Sequence, residues 1–317
     1  MAGRTLDDVD IQICANVGGE QDMKPLEDIA YDGIGLFRTE FVFGRFSRYP
    51  TFEEQYEAYS EVVKKAEGRP VIIRTLDIGG DKDLAYFELP KEENPFLGYR
   101  AVRVCLDREQ IFLDQLMAIL AAGACGKAKI MFPMITEMSE FVACKRLVAK
   151  AKNLLQDRKI PFDEDIHIGI MVETPASAVL ADRFATVCDF VSIGTNDLTQ
   201  YVTCTDRANP NIQKLYNPYN PAVIRLIGNT IRSARQAGIE AGVCGELAGE
   251  LNFIPLLVGF GVNKLSMSPA LIEKVRYLVC RLNQREMSRL SDQVLNIDDP
   301  YEIESLVTSV SERALAI

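Results

Sequence analysis

Short apolar runs recur along this chain, separated by longer stretches in which apolar residues return every three or four positions. The runs fall at 11–17, 33–39, 71–77, 129–134, 167–173, 190–194, 240–245 and 264–268. They are strand-length and nearly continuous in apolar character, as expected of strands covered on both faces. The segments 52–67, 110–122, 137–156, 221–237 and 251–260 gather their apolar residues on one face, which predicts helices. Strands that alternate with helices imply a parallel sheet with right-handed crossovers, and eight such repeats predict an α/β fold, a closed (β/α)8 TIM barrel. Past Cys280 the pattern stays helical, so residues 1–283 are expected to form the barrel and 284–317 a C-terminal helical extension packed on it. In that tail Asp299 reads as an N-cap, Pro300 as the first helical residue and Glu302 as the partner of a capping-box-like start.

Most of the runs end in a residue suited to a phosphorylated, enolisable anion. Arg38 closes the second run, Arg74 lies in the third, Glu173 closes the fifth, Asn196 and Asp197 follow the sixth, and Cys244 stands near the end of the seventh. In a closed parallel barrel all carboxyl ends open on one face, so these scattered residues are expected to meet in one pocket. The stretches 79–98 and 206–220 are long and rich in Gly, Pro, Asn and charge, as the functional loops of barrel enzymes are.

Composition narrows the ligand. The 317 residues carry a formal net charge of -10, which argues against non-specific nucleic-acid binding. An anionic substrate must then be held by local arginines. Eight cysteines occur without a CxxC pair, and are read as reduced thiols of a cytoplasmic protein. The start has neither a basic segment followed by an apolar one nor a twin arginine, and no apolar run reaches membrane-spanning length, so a soluble protein without membrane insertion is expected. Because a strand begins almost at once, at Ile11, residues 1–4 read as a truncation point rather than a natural start.

Glu173 and Asp197 should close neighbouring strands roughly 4.8 Å apart, where one small cation bridges both carboxylates. Magnesium suits them, since it takes one or two carboxylates plus water and substrate oxygens and needs no His or Cys. The alternative is a helix-capping Asp beside a strand-end Glu. Arg38 and Arg74 can fork onto phosphoryl oxygens, with Arg100 and Lys82 in the adjoining loop, while Arg103 and Arg108 are read as structural. Arg207 can reach a carboxylate at the substrate's other end. Cys244, flanked by Gly242 and Gly245, would be mostly protonated at neutral pH and able to deliver a proton to carbon. Gly79, Gly80, Asp81 and Lys82 resemble a phosphate loop without a Walker pattern around it, and Gly33 to Gly35 lacks the third glycine of a dinucleotide fingerprint. Phe37, Phe41, Phe43 and Phe46 are expected to pack the barrel mouth. His167, the sole histidine, starts the strand that Glu173 ends, roughly 20 Å from the site at about 3.3 Å per residue, and is assigned a structural or solvent role.

Six ordered blocks carry a family resemblance. They are Gly-Ile-Gly-Leu-Phe-Arg-Thr-Glu-Phe from Gly33, Arg-Thr-Leu-Asp-Ile-Gly-Gly-Asp-Lys from Arg74, Asn-Pro-Phe-Leu-Gly-Tyr-Arg from Asn94, Gly-Ile-Met-Val-Glu-Thr-Pro-Ala from Gly169, Gly-Thr-Asn-Asp-Leu-Thr-Gln-Tyr from Gly194 and Cys-Gly-Glu-Leu-Ala-Gly from Cys244. Together they resemble the C-terminal half of the phosphoenolpyruvate-protein phosphotransferases, Enzyme I of the bacterial sugar phosphotransferase system. The resemblance implies a magnesium-dependent barrel that binds phosphoenolpyruvate, releases pyruvate and forms a homodimer. By position it implies that Arg38 and Arg74 hold the phosphoryl group and that Glu173 and Asp197 hold magnesium. Asn196 and Arg207 would bind substrate, Arg207 on its carboxylate, and Cys244 would donate the proton. Arg100 falls in a family block as a further substrate-binding residue. In that family the phosphoryl group passes to a histidine of an N-terminal domain and on to a phosphocarrier protein; neither that domain nor its histidine motif is found here, so the chain reads as the substrate half.

Three rival readings stay open at this point. One is a magnesium-dependent aldolase or lyase of the pyruvate-enolate class, which has no obvious use for two phosphate-directed arginines. Another is half of a pyruvate phosphate dikinase or phosphoenolpyruvate synthase. The third is a dimerising sensor of phosphoenolpyruvate without catalysis.

Overall fold

The computed structural model describes residues 3–80 and 84–316; Asp81 and Lys82 of the expected phosphate-loop-like segment lie outside them. Among the described residues nine strands form one sheet: β1 (Gly3–Arg4), β2 (Asp10–Val17), β3 (Ile34–Arg38), β4 (Val71–Arg74), β5 (Ala128–Phe132), β6 (His167–Val172), β7 (Phe190–Ile193), β8 (Glu240–Val243) and β9 (Lys264–Met267). Neighbours follow chain order, and β9 also pairs with β2, Gln12 opposite Lys264 and Ala15 opposite Met267. Strands β2 to β9 thus close into the eight-stranded parallel barrel with surrounding helices that the pattern predicts. The two-residue β1 pairs antiparallel with β2, Gly3 opposite Ile11, and is too short to leave a pattern in the sequence.

Every residue of β4, β7 and β9 is buried, which accounts for their largely apolar character, Arg74, Ser192, Lys264 and Ser266 being the polar exceptions. Gly35 in β3 is a packing glycine: a Cβ there would fall 2.3 Å from Ser266 Oγ and 3.2 Å from the Cβ of Cys14. Only a residue without a side chain fits between these strands.

The chain divides into two compact units, one of residues 1–15, 28–35 and 172–317, the other of residues 16–27 and 36–171. In the second unit the helix Glu109–Gly123 buries eleven of its fifteen residues, nearly all round. Its one buried polar side chain, Gln115, accepts from Leu76 N–H at 2.9 Å and donates to Tyr59 Oη at 3.2 Å, so the chain just beyond β4 is anchored to the helical layer. In the first unit, after β9, come the helices Ile272–Val279, Gln284–Val294 and Pro300–Leu315. Asp299 caps the last of these by accepting from Tyr301 N–H at 2.9 Å, and Ser311 Oγ donates to Leu251 O at 3.0 Å.

The expected helices appear as Phe52–Lys65, Glu109–Gly123, Met138–Asp157, Pro221–Ala237 and Ile254–Phe260. Short helices directly after strands were not anticipated: Glu40–Phe43 after β3, Pro175–Val179 after β6 and Thr195–Thr203 after β7. Among the described residues no helix is long and apolar enough to cross a membrane.

Candidate active site

In the unit of residues 16–27 and 36–171, arginines gather at the ends of β3 and β4. Arg38 ends β3 and lies over the ring of Phe41, its guanidinium carbon 4.8 Å from the ring centre. Its Nε is buried and has no hydrogen-bond partner among the described residues. The next residue, Thr39, donates its hydroxyl to Arg74 O at 2.9 Å and so ties the end of β3 to that of β4.

Arg74 itself is only 5% exposed and sits between two carboxylates. Nη1 pairs with Asp77 Oδ2 at 3.1 Å, and Nη2 pairs with Glu40. Asp77, fully buried, also accepts from Arg100, Nε to Oδ1 at 3.0 Å and Nη2 to Oδ2 at 3.2 Å. A buried guanidinium is tolerable only with such partners, and the planar fork of Arg100 matches both oxygens of Asp77. Arg103 and Arg108, read as structural, are structural: Arg103 donates to Leu97 O and Gly98 O, and Arg108 to Phe87 O and Tyr49 Oη.

In the other unit, acidic and neutral groups gather at the ends of β6, β7 and β8. Glu173, fully buried, directly follows β6, and Gly194 N–H donates to Val172 O at 3.1 Å, so β6 and β7 end side by side. The helix Thr195–Thr203 starts at once, placing Asn196 and Asp197 in its first turn, where the helix dipole favours a carboxylate. Asp197 is 7% exposed. Two buried carboxylates with hard oxygen donors on adjacent strand ends suit magnesium. Among the described residues no group of three or more His, Cys, Asp or Glu is placed to hold a metal ion, so a cation there would complete its shell from water and substrate oxygens.

Cys244 follows β8, is buried, and makes two contacts with one oxygen. Its N–H donates to Ile193 O at 3.1 Å and its thiol to the same carbonyl at 3.7 Å. Gly245 next to it packs against the β7 end, where a Cβ would meet Thr195 Oγ1 at 2.0 Å and Asn196 Oδ1 at 3.0 Å. Asn196 Oδ1 accepts from Glu246 N–H at 2.9 Å, and its carbonyl accepts from Tyr216 Oη at 3.2 Å. Burial pushes the Tyr216 phenol up to about 12, so it remains a donor at neutral pH. Arg207 is half-buried, with its N–H on Gln200 Oε1 at 3.0 Å.

Within one unit, then, the structure brings together Arg38, Arg74 and Arg100, and within the other Glu173, Asn196, Asp197, Arg207 and Cys244. His167 is exposed at the start of β6, as expected. Of the four phenylalanines expected at the barrel mouth, Phe37 and Phe43 are fully buried and Phe46 half-buried, but Phe41, the second residue of the short helix after β3, is 53% exposed beneath Arg38. Sequence reasoning missed Glu40, Asp77 and Tyr216. Asp77 left one signal, a lone acid between Leu76 and Ile78 directly after a strand.

A profile of the family described as PEP-utilising enzyme, PEP-binding domain matches residues 1–284. Phosphoenolpyruvate-protein phosphotransferases from Priestia megaterium, Staphylococcus carnosus and Listeria monocytogenes are each 44% identical to the chain, over 303, 310 and 301 residues. The alignments cover 96%, 98% and 95% of this chain but 53%, 54% and 53% of those proteins, so the chain spans about half their length. Two solved barrels share the fold. A citrate lyase from Burkholderia xenovorans has a TM-score of 0.51 at 12% identity, covering 100% of this chain and 95% of that one. A malate synthase from Haloferax volcanii has 0.50 at 12%, covering 84% and 72%. At that identity the likeness is one of fold alone. By contrast, the profile spans nearly the whole sequence, and the chain belongs to the family of phosphoenolpyruvate-binding domains of PEP-utilising enzymes.

Proposed function

We propose that this chain binds phosphoenolpyruvate with magnesium and acts as the substrate half of a phosphoenolpyruvate-protein phosphotransferase. The observation that carries the reading is Arg38: a cationic side chain at a strand end whose buried Nε has no hydrogen-bond partner among the described residues. A buried donor left so costs about 1–3 kcal/mol, and an oxyanion would recover it. The 44% identity to proteins named for this activity supports the same reading.

In this proposal Arg38 and Arg74 hold the phosphoryl oxygens. Arg100 contributes to substrate binding through Asp77, which it fixes against Arg74. Glu173 and Asp197 hold magnesium, which when bound supplies positive charge to the anionic oxygens of the substrate. Asn196 donates its amide to the substrate, and Arg207 pairs with the carboxylate. As the phosphoryl group leaves, the thiol of Cys244 delivers its proton to the methylene carbon to give pyruvate; the reverse reaction takes that proton back. The acceptor is a histidine on a separate N-terminal domain, and the group then moves to a phosphocarrier protein at the head of sugar transport. Residues 1–283 are read as the binding barrel and 284–317 as its extension, in a cytoplasmic homodimer. The lyase alternative gives the arginine cluster no task.

Calorimetry with phosphoenolpyruvate tests the substrate, and transfer of label to an added histidine domain tests the reaction. Binding that requires magnesium is expected. A folded protein that takes up no phosphoenolpyruvate with magnesium present would end this reading.

A further inference from the structure

Two carboxylates grip Arg74, and they are not equivalent. The Asp77 side chain is 0% exposed and is fixed from two sides, by Arg74 Nη1 and by the fork of Arg100. Glu40 pairs with Nη2 from the first turn of the four-residue helix Glu40–Phe43, and its side chain is 14% exposed. Arg74, Arg100, Glu40 and Asp77 together carry no net charge.

An oxyanion that forks onto a guanidinium needs two N–H groups side by side, and on Arg74 a fork through Nη1 or Nη2 enters beside a carboxylate already paired with that nitrogen. Displacing Asp77 would leave Arg100 and Arg74 buried without their shared counter-ion, a strongly unfavourable step. Displacing Glu40 would release a more accessible side chain toward water. We infer that Glu40 is a competing carboxylate which phosphoryl oxygens displace from Arg74 Nη2, and that Asp77 is a positioning residue that keeps Arg74 aimed while this happens. The inference rests on the reading that Arg74 meets the phosphoryl group.

This arrangement sets specificity as well as affinity. A doubly charged phosphoryl group competes with a carboxylate for a guanidinium, whereas a lone carboxylate such as that of pyruvate has no such advantage. Removing an acidic side chain then strengthens anion binding, the opposite of what a supporting residue would do.

The test compares wild type with Glu40→Gln by calorimetry, using inorganic phosphate alone and then phosphoenolpyruvate with magnesium. The Gln variant should bind inorganic phosphate about tenfold more tightly, the order expected when one competing charge-assisted contact is weakened. Glu40→Asp keeps the charge but draws it back, and should tighten binding in the same direction if the Gln variant fails to fold. Phosphate affinity that is unchanged or weaker in the folded variants overturns the inference. Wild type that binds no phosphoenolpyruvate overturns the substrate reading instead, and Glu40 is still judged on inorganic phosphate.

Discussion

Cys244 is held against the carbonyl of Ile193, which meets both its N–H and its thiol. A sulfur anchored this way has little freedom, as a proton donor to one carbon requires. Replacing Cys244 with Ala should leave phosphoenolpyruvate affinity nearly intact and slow turnover, measured with a histidine domain added, by about 10²- to 10⁴-fold. Full turnover in that variant removes the thiol from the reaction. The two strand-end arginines should separate by assay. Arg38→Ala should weaken substrate binding by about 1.5–3 kcal/mol, the value of a charge-assisted hydrogen bond. Arg74→Ala strips the cation from two carboxylates, one of them wholly buried, and should cost about 3–5 kcal/mol of stability in urea unfolding before binding is even considered. Equal stability losses for the two variants would contradict the environments described for them.

At the scale of elements, the helix Phe52–Lys65 shows how a local signal becomes stability. Thr51 accepts from Glu54 N–H at 3.3 Å, and Glu54 accepts from Thr51 N–H at 2.8 Å, a capping box braced by Arg48. The Arg48 hydrogen bond, followed by the Thr51 N–H, draws the Glu54 carboxyl down to about 2. A depressed folded-state value means that the Glu54 contribution is complete above the ordinary carboxylate range and fades as pH falls toward 2. Thr51→Ala should lower stability by about 1 kcal/mol at neutral pH, and Glu54→Gln should flatten the acid limb of the stability profile below pH 4.5. Urea unfolding across pH measures both. The barrel strands were readable for a comparably local reason, since burial on both faces makes most of them largely apolar runs. Thr195–Thr203 escaped notice because it opens on Gly194 straight from a strand, with no side-chain cap. The site divided along the same line. Residues at strand ends announce themselves, but Glu40 finds Arg74 across 34 positions and Arg100 finds Asp77 across 23. Only the closing of the fold makes those pairs, and no spacing rule contains them.

For the molecule as a whole, the family is settled by a profile over residues 1–284, while the reaction of the longer relatives remains the proposal to test. Magnesium offers a direct check. Chelation should lower phosphoenolpyruvate affinity at least tenfold, about 1.4 kcal/mol, and Glu173→Gln should abolish the difference between chelated and replete protein. An affinity indifferent to the metal in wild type would remove Glu173 and Asp197 from the role given them. Meanwhile, the neutral knot of Arg74, Arg100, Glu40 and Asp77 leaves little positive potential to project beyond the protein surface, and the chain as a whole carries -10. A triply anionic ligand would therefore meet a repelling far field and an attractive grip only at contact range. Added salt, which shortens the reach of the field to about 10 Å at 0.1 M, would then hasten encounter instead of hindering it, the reverse of electrostatic steering.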